Sequence, residues 1–369
     1  MKFSCTQENL NRALNRVSKT TKKDANLPVL GNILFEVKEN KLKLSATDLE
    51  IGVEGFVFGK AEKEGTITIP SDLITSYISS LPNSNVVLEL SKKTLNVKCG
   101  SFKGSIRGID ASEFPIIPKV KREISLKINS TDLVHAFSQV ILASAVDESR
   151  PEICGVFFNL EKNNLTLAAT DSYCLAEKKI KLGKRVKIES RSVIIPTKTI
   201  QELIRVAQDT VSDVEISLSD SQVVFSFDGF ILSSRLVEGK YPDYGAIIPS
   251  SSKTEVLLKK EDFLNIIKVV SLFSKGSASD ILFNIDAKKK KMLISAQTAQ
   301  VGENESRIKL DKIKGKNNKI SFNYRYVLDG LSVIDNDEIL FGITSEAAPG
   351  IFRGTEDDSY VYIIMPIQK

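Results

Sequence analysis

The stretch NILFEVKENKLKLSATDLEIGVE, residues 32–54, returns twice along the chain, as GVFFNLEKNNLTLAATDSYCLAE (155–177) and ILFNIDAKKKKMLISAQTAQVGE (281–303). Each copy reads as an apolar strand, a polar turn, an alternating strand, a small-residue corner with threonine and a third strand. In the second copy Leu165, Leu167 and Ala169 share one side and Thr166, Ala168 and Thr170 the other, the two-residue period of a half-buried strand. The links KENK, EKNN and DAKKKK have the composition of hairpin turns. A repeat with a period of about 125 residues governs everything else read from this sequence.

Working outward, a helix is predicted before each strand block. Leu10, Ala13, Leu14 and Val17 form an i, i+3, i+4, i+7 stripe; Leu133, Val134, Phe137, Val140 and Ile141 repeat it, as do Phe263, Ile266, Ile267 and Val270. Thr6, and Ser130 or Thr131, stand where N-caps belong. A second helix follows each block, entered from a strand: TITIPSDLITSYISSLP (66–82), SVIIPTKTIQELIRVAQ (192–208) and KISFNYRYVLDGLSVID (319–335), with Pro70, Pro196 and Asn323 at the junctions. More alternating strands close each unit. The turns SEFPIIP (112–118) and GKYPDYGAIIP (239–249) place boundaries near 120 and 249, giving units 1–120, 121–249 and 250–369. The expected class is α+β: three tandem domains, each with two helices side by side on antiparallel sheet and each large enough to hold its own core.

Composition sets the limits of the chemistry. The 369 residues are 42% hydrophobic and 26% charged, with 51 Lys and Arg against 46 Asp and Glu, the profile of a globular protein. No apolar run approaches a membrane span, and MKFSCTQENLNRAL lacks the apolar core of a signal peptide, so a cytoplasmic location is expected. Cys5, Cys99, Cys154 and Cys174 show no CxxC spacing; they are expected to be reduced and mostly buried, with no metal site. His135, the one histidine, sits in a helical run with no nucleophile beside it, which argues against triad chemistry. No phosphate-binding glycine loop is present, and no cofactor is implied.

Charge divides as 17 basic against 13 acidic residues in 1–120, 16 against 17 in 121–249 and 18 against 16 in 250–369. Cations opposite the apolar stripes, Arg12, Arg16 and Lys19, then Lys198 and Arg205, then Lys260, Lys268 and Arg325, could together make one diffuse basic surface suited to phosphates. Lys288 to Lys291 fall at a hairpin, where solvation explains them. Without a base-reading motif, any contact with nucleic acid would be to the backbone and independent of sequence.

The repeats, their helix-strands-helix-strands order and the strings LPVLGNILFEV (27–37), LSATDLEI (44–51), AATDSYCLA (168–176), SRLVEGKYPDY (234–244), FNYRYVLDGL (322–331) and IIMP (363–366) together resemble one family over essentially the whole chain: the bacterial DNA sliding clamp, the beta subunit of DNA polymerase III. The resemblance implies three clamp domains, closed as a head-to-tail homodimeric ring around double-stranded DNA. It also implies a non-enzymatic processivity role in DNA replication.

The same resemblance implies three sets of residues. Lys103, Ser105, Ile106 and Arg107 would face Leu272, Phe273, Glu303 and Glu305 of a second copy. A cleft taking a short peptide from the replicative polymerase, clamp loader and repair factors maps to Ile153, Thr170, Tyr173, Leu175, Pro242, Ile247, Asn323, Tyr326, Ala347, Ile363, Met365, Pro366 and Ile367. DNA-touching loops map to Lys22, Lys23 and Asp24 and to Arg150, Pro151 and Glu152, and Lys198 matches an inner-helix lysine. The chain departs from the family pattern at Ser172, Tyr173 and Cys174, near Gly245 and Ala246, and at Gln368 and Lys369, which implies a shifted peptide preference. Two other readings stand beside this one: an interaction scaffold without DNA, and a hydrolase using Asp48 or Asp171, although Thr-Asp at a corner is ordinary turn chemistry.

Overall fold

A computed structural model describes residues 1–118, 124–147, 149–183, 190–274, 279–299 and 301–368; the boundary expected at 120 lies outside them. Among the described residues six helices carry the predicted stripes: α1 (Gln7–Val17), α2 (Ser71–Ser79), α3 (Ser130–Ile141), α4 (Thr197–Ala207), α5 (Lys260–Ser271) and α6 (Tyr324–Ser332). In α1 the buried face is Leu10, Ala13, Leu14 and Val17, and Thr6 caps the helix by accepting from the Asn9 amide. At α3 the cap differs from the expectation. Asn129 Oδ1 accepts from the Thr131 amide at 2.9 Å, while Ser130 turns inward and donates to the Thr210 carbonyl. Asn323 caps α6 through the Arg325 amide at 3.0 Å.

The strands assemble into two packing units, Met1–Leu133 with Gln201–Leu236, and Val134–Ile200 with Val237–Lys369. In the first, a five-stranded sheet runs in the order Lys60–Lys63, Lys2–Thr6, Asn85–Ser91, Thr94–Cys99, Phe102–Arg107. An eight-stranded sheet runs Ile124–Asn129, Asp213–Leu218, Gln222–Phe227, Phe230–Arg235, Ile51–Phe58, Lys41–Thr47, Asn32–Lys38, Gly65–Pro70. The second unit holds a nine-stranded sheet, Arg191–Pro196, Gly155–Glu161, Asn164–Thr170, Cys174–Lys181, Tyr360–Ile364, Gly350–Gly354, Glu338–Ile343, Thr254–Lys259, Ile313–Gly315. It also holds a four-stranded one, Gly302–Lys309, Lys291–Thr298, Asp280–Asp286, Asn318–Asn323.

The packing units cut across the sequence repeats. Strands 155–196 of the middle repeat pair into one unit and strands 213–235 into the other. The reason is the edge problem: an unpaired strand end costs backbone hydrogen bonds, and each sheet of the middle repeat satisfies its edge on a neighbour. The joins have matching registers. Gly52 faces Ser233 and Glu54 faces Ile231 in the first unit; Leu175 faces Ile363 and Glu177 faces Val361 in the second.

Both repeated corners fold alike. Thr47 Oγ1 donates to the Ile51 carbonyl and accepts from the Leu49 amide, while Asp48 Oδ1 accepts from the Glu50 and Ile51 amides. Thr170 and Asp171 do the same for Cys174, Ser172 and Tyr173. Leu49 and Ser172 both take φ of 79°. The third copy, with Gln297, Thr298 and Ala299 there, sends Thr298 Oγ1 to the Phe273 carbonyl instead. In the second unit α6 lies so close to the sheet that a Cβ on Gly330 would sit 2.1 Å from the Tyr362 ring. Nearby, Phe263, Phe283, Phe341 and Phe352 form a buried aromatic core. Cys5, Cys99 and Cys174 are buried thiols, and burial pushes Cys5 up to about 12. Among the described residues no helix is long and apolar enough to cross a membrane, and no three His, Cys, Asp or Glu side chains could hold a metal.

Candidate partner cleft, edge strands and basic faces

The residues assigned to a peptide cleft all fall in the second unit. Their floor is built at the sheet join, where Leu175 and Ile363 are cross-strand partners and pack with Ile351 and Val361. These side chains are buried, as is Ile153 in the turn Pro151–Ile153, so they offer little free area. Tyr244 and Ile248, not foreseen from the sequence, pack on this floor. Tyr244 donates to Glu177 Oε2 at 2.8 Å, and burial together with the Glu177 carboxylate pushes its phenol well above the ordinary range. The only sequence signal for Tyr244 was its place beside Pro242 in the second closing turn.

An aromatic wall stands beside the floor. Tyr173 is 63% exposed and lies nearly parallel to Tyr326, ring centroids 6.4 Å apart. Tyr326 donates to Asp171 Oδ2 at 2.8 Å; burial, then Asp171, raises its phenol. Asp171 thus ties the corner's amides to the neighbouring helix and uses both carboxylate oxygens in doing so, as a turn residue does. The C-terminal segment is held by backbone, the Met365 amide to the Tyr173 carbonyl at 2.8 Å and the Ile367 amide to the Ser321 carbonyl at 2.9 Å. Met365 is left exposed and Pro366 and Ile367 half-buried. Thr170 is buried in its corner, Pro242 and Asn323 are half-buried and Ile247 is exposed. Ala347 lies exposed in the turn before Gly350–Gly354.

Of the expected cations, Arg12, Lys19, Lys22, Lys198, Lys268 and Arg325 present exposed side chains. Lys23 is exposed and pairs with Asp72 at 2.8 Å, a solvated association that contributes little. Arg150 is exposed, bound to Ser172 Oγ and Glu152. Arg16 is half-buried with its guanidinium over the Phe230 ring, 5.1 Å from the centroid; burial first, then Arg12, lowers its pKa. Two of the expected cations are engaged by groups of the protein itself. Arg205 spends its donors on Glu202 and on the Asn15 and Arg16 carbonyls, and Lys260 Nζ donates to the Ile334 carbonyl at 2.7 Å. Both are ties within the protein, because a carbonyl at a helix end that lacks a backbone donor recruits the nearest long cation.

Six of the eight residues expected at a subunit interface lie on two edge strands. Phe102–Arg107 ends the five-stranded sheet and Gly302–Lys309 ends the four-stranded one. Lys103, Ser105 and Arg107 are exposed on the first, Glu303 and Glu305 on the second, the latter beside a cavity of about 470 Å³ reaching Asp280 and Gln297. Ile106 corrects the expectation. It is buried opposite Leu95, since alternation turns it to its own core, and the exposed apolar residue of that edge is Phe102. Leu272 is 55% exposed and Phe273 half-buried at the end of α5, so Leu272 is not core.

Comparison with known proteins assigns the whole arrangement. Residues 1–118 match the N-terminal domain of the DNA polymerase III beta subunit, 127–243 its central domain and 245–368 its C-terminal domain. Beta sliding clamps of Bacillus subtilis and Synechococcus elongatus are each 28% identical to the chain, covering all of it and 100% and 99% of themselves. The crystal structure of the Bacillus subtilis DNA polymerase sliding clamp superposes with a TM-score of 0.95 at 27% identity, over 100% of this chain and 99% of that one. The DNA polymerase III subunit beta of Pseudomonas aeruginosa does so at 0.95 and 25%, over 100% of both. A chain of three such domains in this order, matched from end to end, belongs to the DNA polymerase III beta subunit family, the beta sliding clamps.

Proposed function

We propose that this chain is a DNA sliding clamp: a non-catalytic processivity factor that encircles duplex DNA and tethers the replicative polymerase during replication. The observation that carries the reading is the ordered match of three beta-subunit domains across the chain. The domain boundaries are taken near 120 and 249, and the site of action as the cytoplasm. Two copies pair head to tail, the basic edge of Lys103, Ser105 and Arg107 against Glu303 and Glu305, with Phe102, Leu272 and Phe273 as the apolar centre. Opposite charge on two free edges favours this pairing and disfavours each edge meeting itself. The cations that remain exposed, Arg12, Lys19, Lys22, Lys23, Arg150, Lys198, Lys268 and Arg325, meet phosphates without reading sequence. Closure, not affinity, retains the DNA, so a formal charge of +5 per chain is enough.

The polymerase, clamp loader and repair factors dock a short peptide over Leu175 and Ile363, against Tyr173, Tyr326 and Met365. Tyr173 makes that wall aromatic and gives this clamp a taste for apolar peptide side chains. The test is topological. Protein loaded on nicked circular DNA stays bound through gel filtration and is lost by at least about tenfold when the circle is cut, as expected of a ring whose single contacts are weak. Retention on the linear product, or sequence-selective binding, overturns the reading.

A further inference from the structure

The first unit contains a cavity that the clamp function does not use. It holds about 470 Å³ and lies between one face of the eight-stranded sheet and the segment Phe114–Pro118, which crosses above it, a volume in the range of small-molecule sites. The floor is one cross-strand row, Leu34 to Ser45 to Glu54 to Ile231 to Ser226. Ser45 is 2% exposed and its hydroxyl has no hydrogen-bond partner among the described residues. A buried hydroxyl left unbonded costs about 1–3 kcal/mol, which a ligand that bonds it would recover. Beside it, Lys43 Nζ sits 3.1 Å from both Glu36 and Glu54. Lys43 and Glu54 line this end of the cavity and Glu36 lies outside the lining; two carboxylates around one ammonium leave the cluster with a net negative charge, and the other walls are leucine, isoleucine, valine, proline and phenylalanine interrupted by Ser217, Ser226 and Ser233.

We propose that the cavity binds a small organic cation, an apolar ring or short alkyl chain ending in an ammonium or guanidinium group. The apolar body lies under Phe114 and Pro115, and the cationic end donates to Ser45 Oγ and the Glu54 carboxylate. An anion is disfavoured by Glu54 in the wall and by the net negative charge of the Glu36–Lys43–Glu54 cluster. A neutral alcohol could bond Ser45 but would gain nothing from the charge. Such a cation reaches the protein either as a free amine or as a lysine or arginine side chain next to an apolar residue in a partner.

The experiment titrates the full-length protein with phenethylamine, followed by ligand-observed NMR, with 2-phenylethanol as the neutral isostere. Binding is expected in the millimolar range or tighter, at least tenfold weaker for the alcohol. It is expected to fall at least tenfold in Glu54→Gln and to vanish in Ser226→Leu, whose longer side chain fills the cavity. Thermal melting of both variants reports that they are folded, and Glu54→Gln, nearly isosteric, carries the test where Ser226→Leu does not fold. Equal binding of amine and alcohol, or wild-type binding by the folded variants, overturns the proposal. A capped Phe-Lys dipeptide is the second arm. Competition with phenethylamine assigns the source to a protein side chain, and failure to compete assigns it to a free amine; either result supports the site.

Discussion

The two sheet joins are the same backbone written with different side chains. In the first unit Gly52, Val53, Glu54 and Gly55 face Ser233, Leu232, Ile231 and Phe230; in the second Leu175, Ala176, Glu177 and Lys178 face Ile363, Tyr362, Val361 and Tyr360. Where the second join has Leu175 against Ile363, the first has a glycine against a serine, and the space this leaves is taken by Ile117, 2.8 Å from where a Gly52 Cβ would stand. The conserved element is the glutamate at the third position, and even that is used differently. Glu54 holds Lys43, whereas Glu177 holds the Tyr244 hydroxyl and Lys179. One join is closed by buried apolar side chains, the other leaves a cavity whose mostly apolar wall carries four serine hydroxyls. A register shared between repeats therefore fixes where a site can form, and the side chains decide what it can hold.

The largest effect should come from emptying the packed join. Leu175→Ala removes a fully buried side chain beneath Tyr244 and Ile248, and such truncations cost about 3 kcal/mol. Urea unfolding should show that loss, and affinity for a polymerase-derived peptide should fall by at least about tenfold, equivalent to about 1.4 kcal/mol. A stable variant with unchanged peptide binding would mean that the floor matters to neither fold nor partner, and the contrast between the joins would lose its functional content.

Filling the other join should cost somewhat less. Gly52→Leu writes the second join's residue into the first, and its Cβ would come within 2.8 Å of Ile117 Cγ2 and Ser233 Oγ. Overpacking of this kind costs about 2 kcal/mol. Ile117 belongs to a half-buried segment that can shift, so the variant is expected to fold, with a lowered melting temperature and no phenethylamine binding. A neutral effect on melting would show that the segment 114–118 does not press on the sheet.

How much of this could be read beforehand follows from the physics of each signal. The repeat was legible because hairpin turns and period-2 alternation are local, and Thr47 and Thr170 fold their corners as alike as their sequences are. The division of the middle repeat between two units was not legible, because strand pairing across a join depends on partners more than a hundred residues away. Arg205 and Lys260 looked like free cations for the same reason: nothing nearby in sequence shows a cation the distant carbonyls that receive it. Ile106 was the avoidable error, since alternation along Phe102–Arg107 already turns it inward. Tyr173 was legible only as a departure, and its pairing with Tyr326 needed the fold.

The smallest effect separates the joins by pH. At the fourth position the second join carries Lys178, whose side chain is only 12% exposed and lies 2.6 Å from Asp357; the first has Gly55 under the Phe230 ring and nothing that titrates. Burial by itself would raise the Asp357 carboxyl, but hydrogen bonds from Lys178 and Ser359 outweigh it and hold the pKa below the usual carboxylate value. A depressed carboxyl contributes stability that is complete above its unfolded pKa, about 3.9, and is lost as pH falls through the folded value. Asp357→Asn should therefore cost about 1 kcal/mol or less at pH 7, because the carboxylate is part-exposed and screened. The gap to the wild type should stay constant down to about pH 5 and close below about pH 4. Ile231→Val, at the first join, should lose the same amount at every pH, since a half-buried methylene does not titrate. If the Asp357→Asn gap persisted in acid, the pair would owe its effect to packing, and the two joins would differ in shape alone.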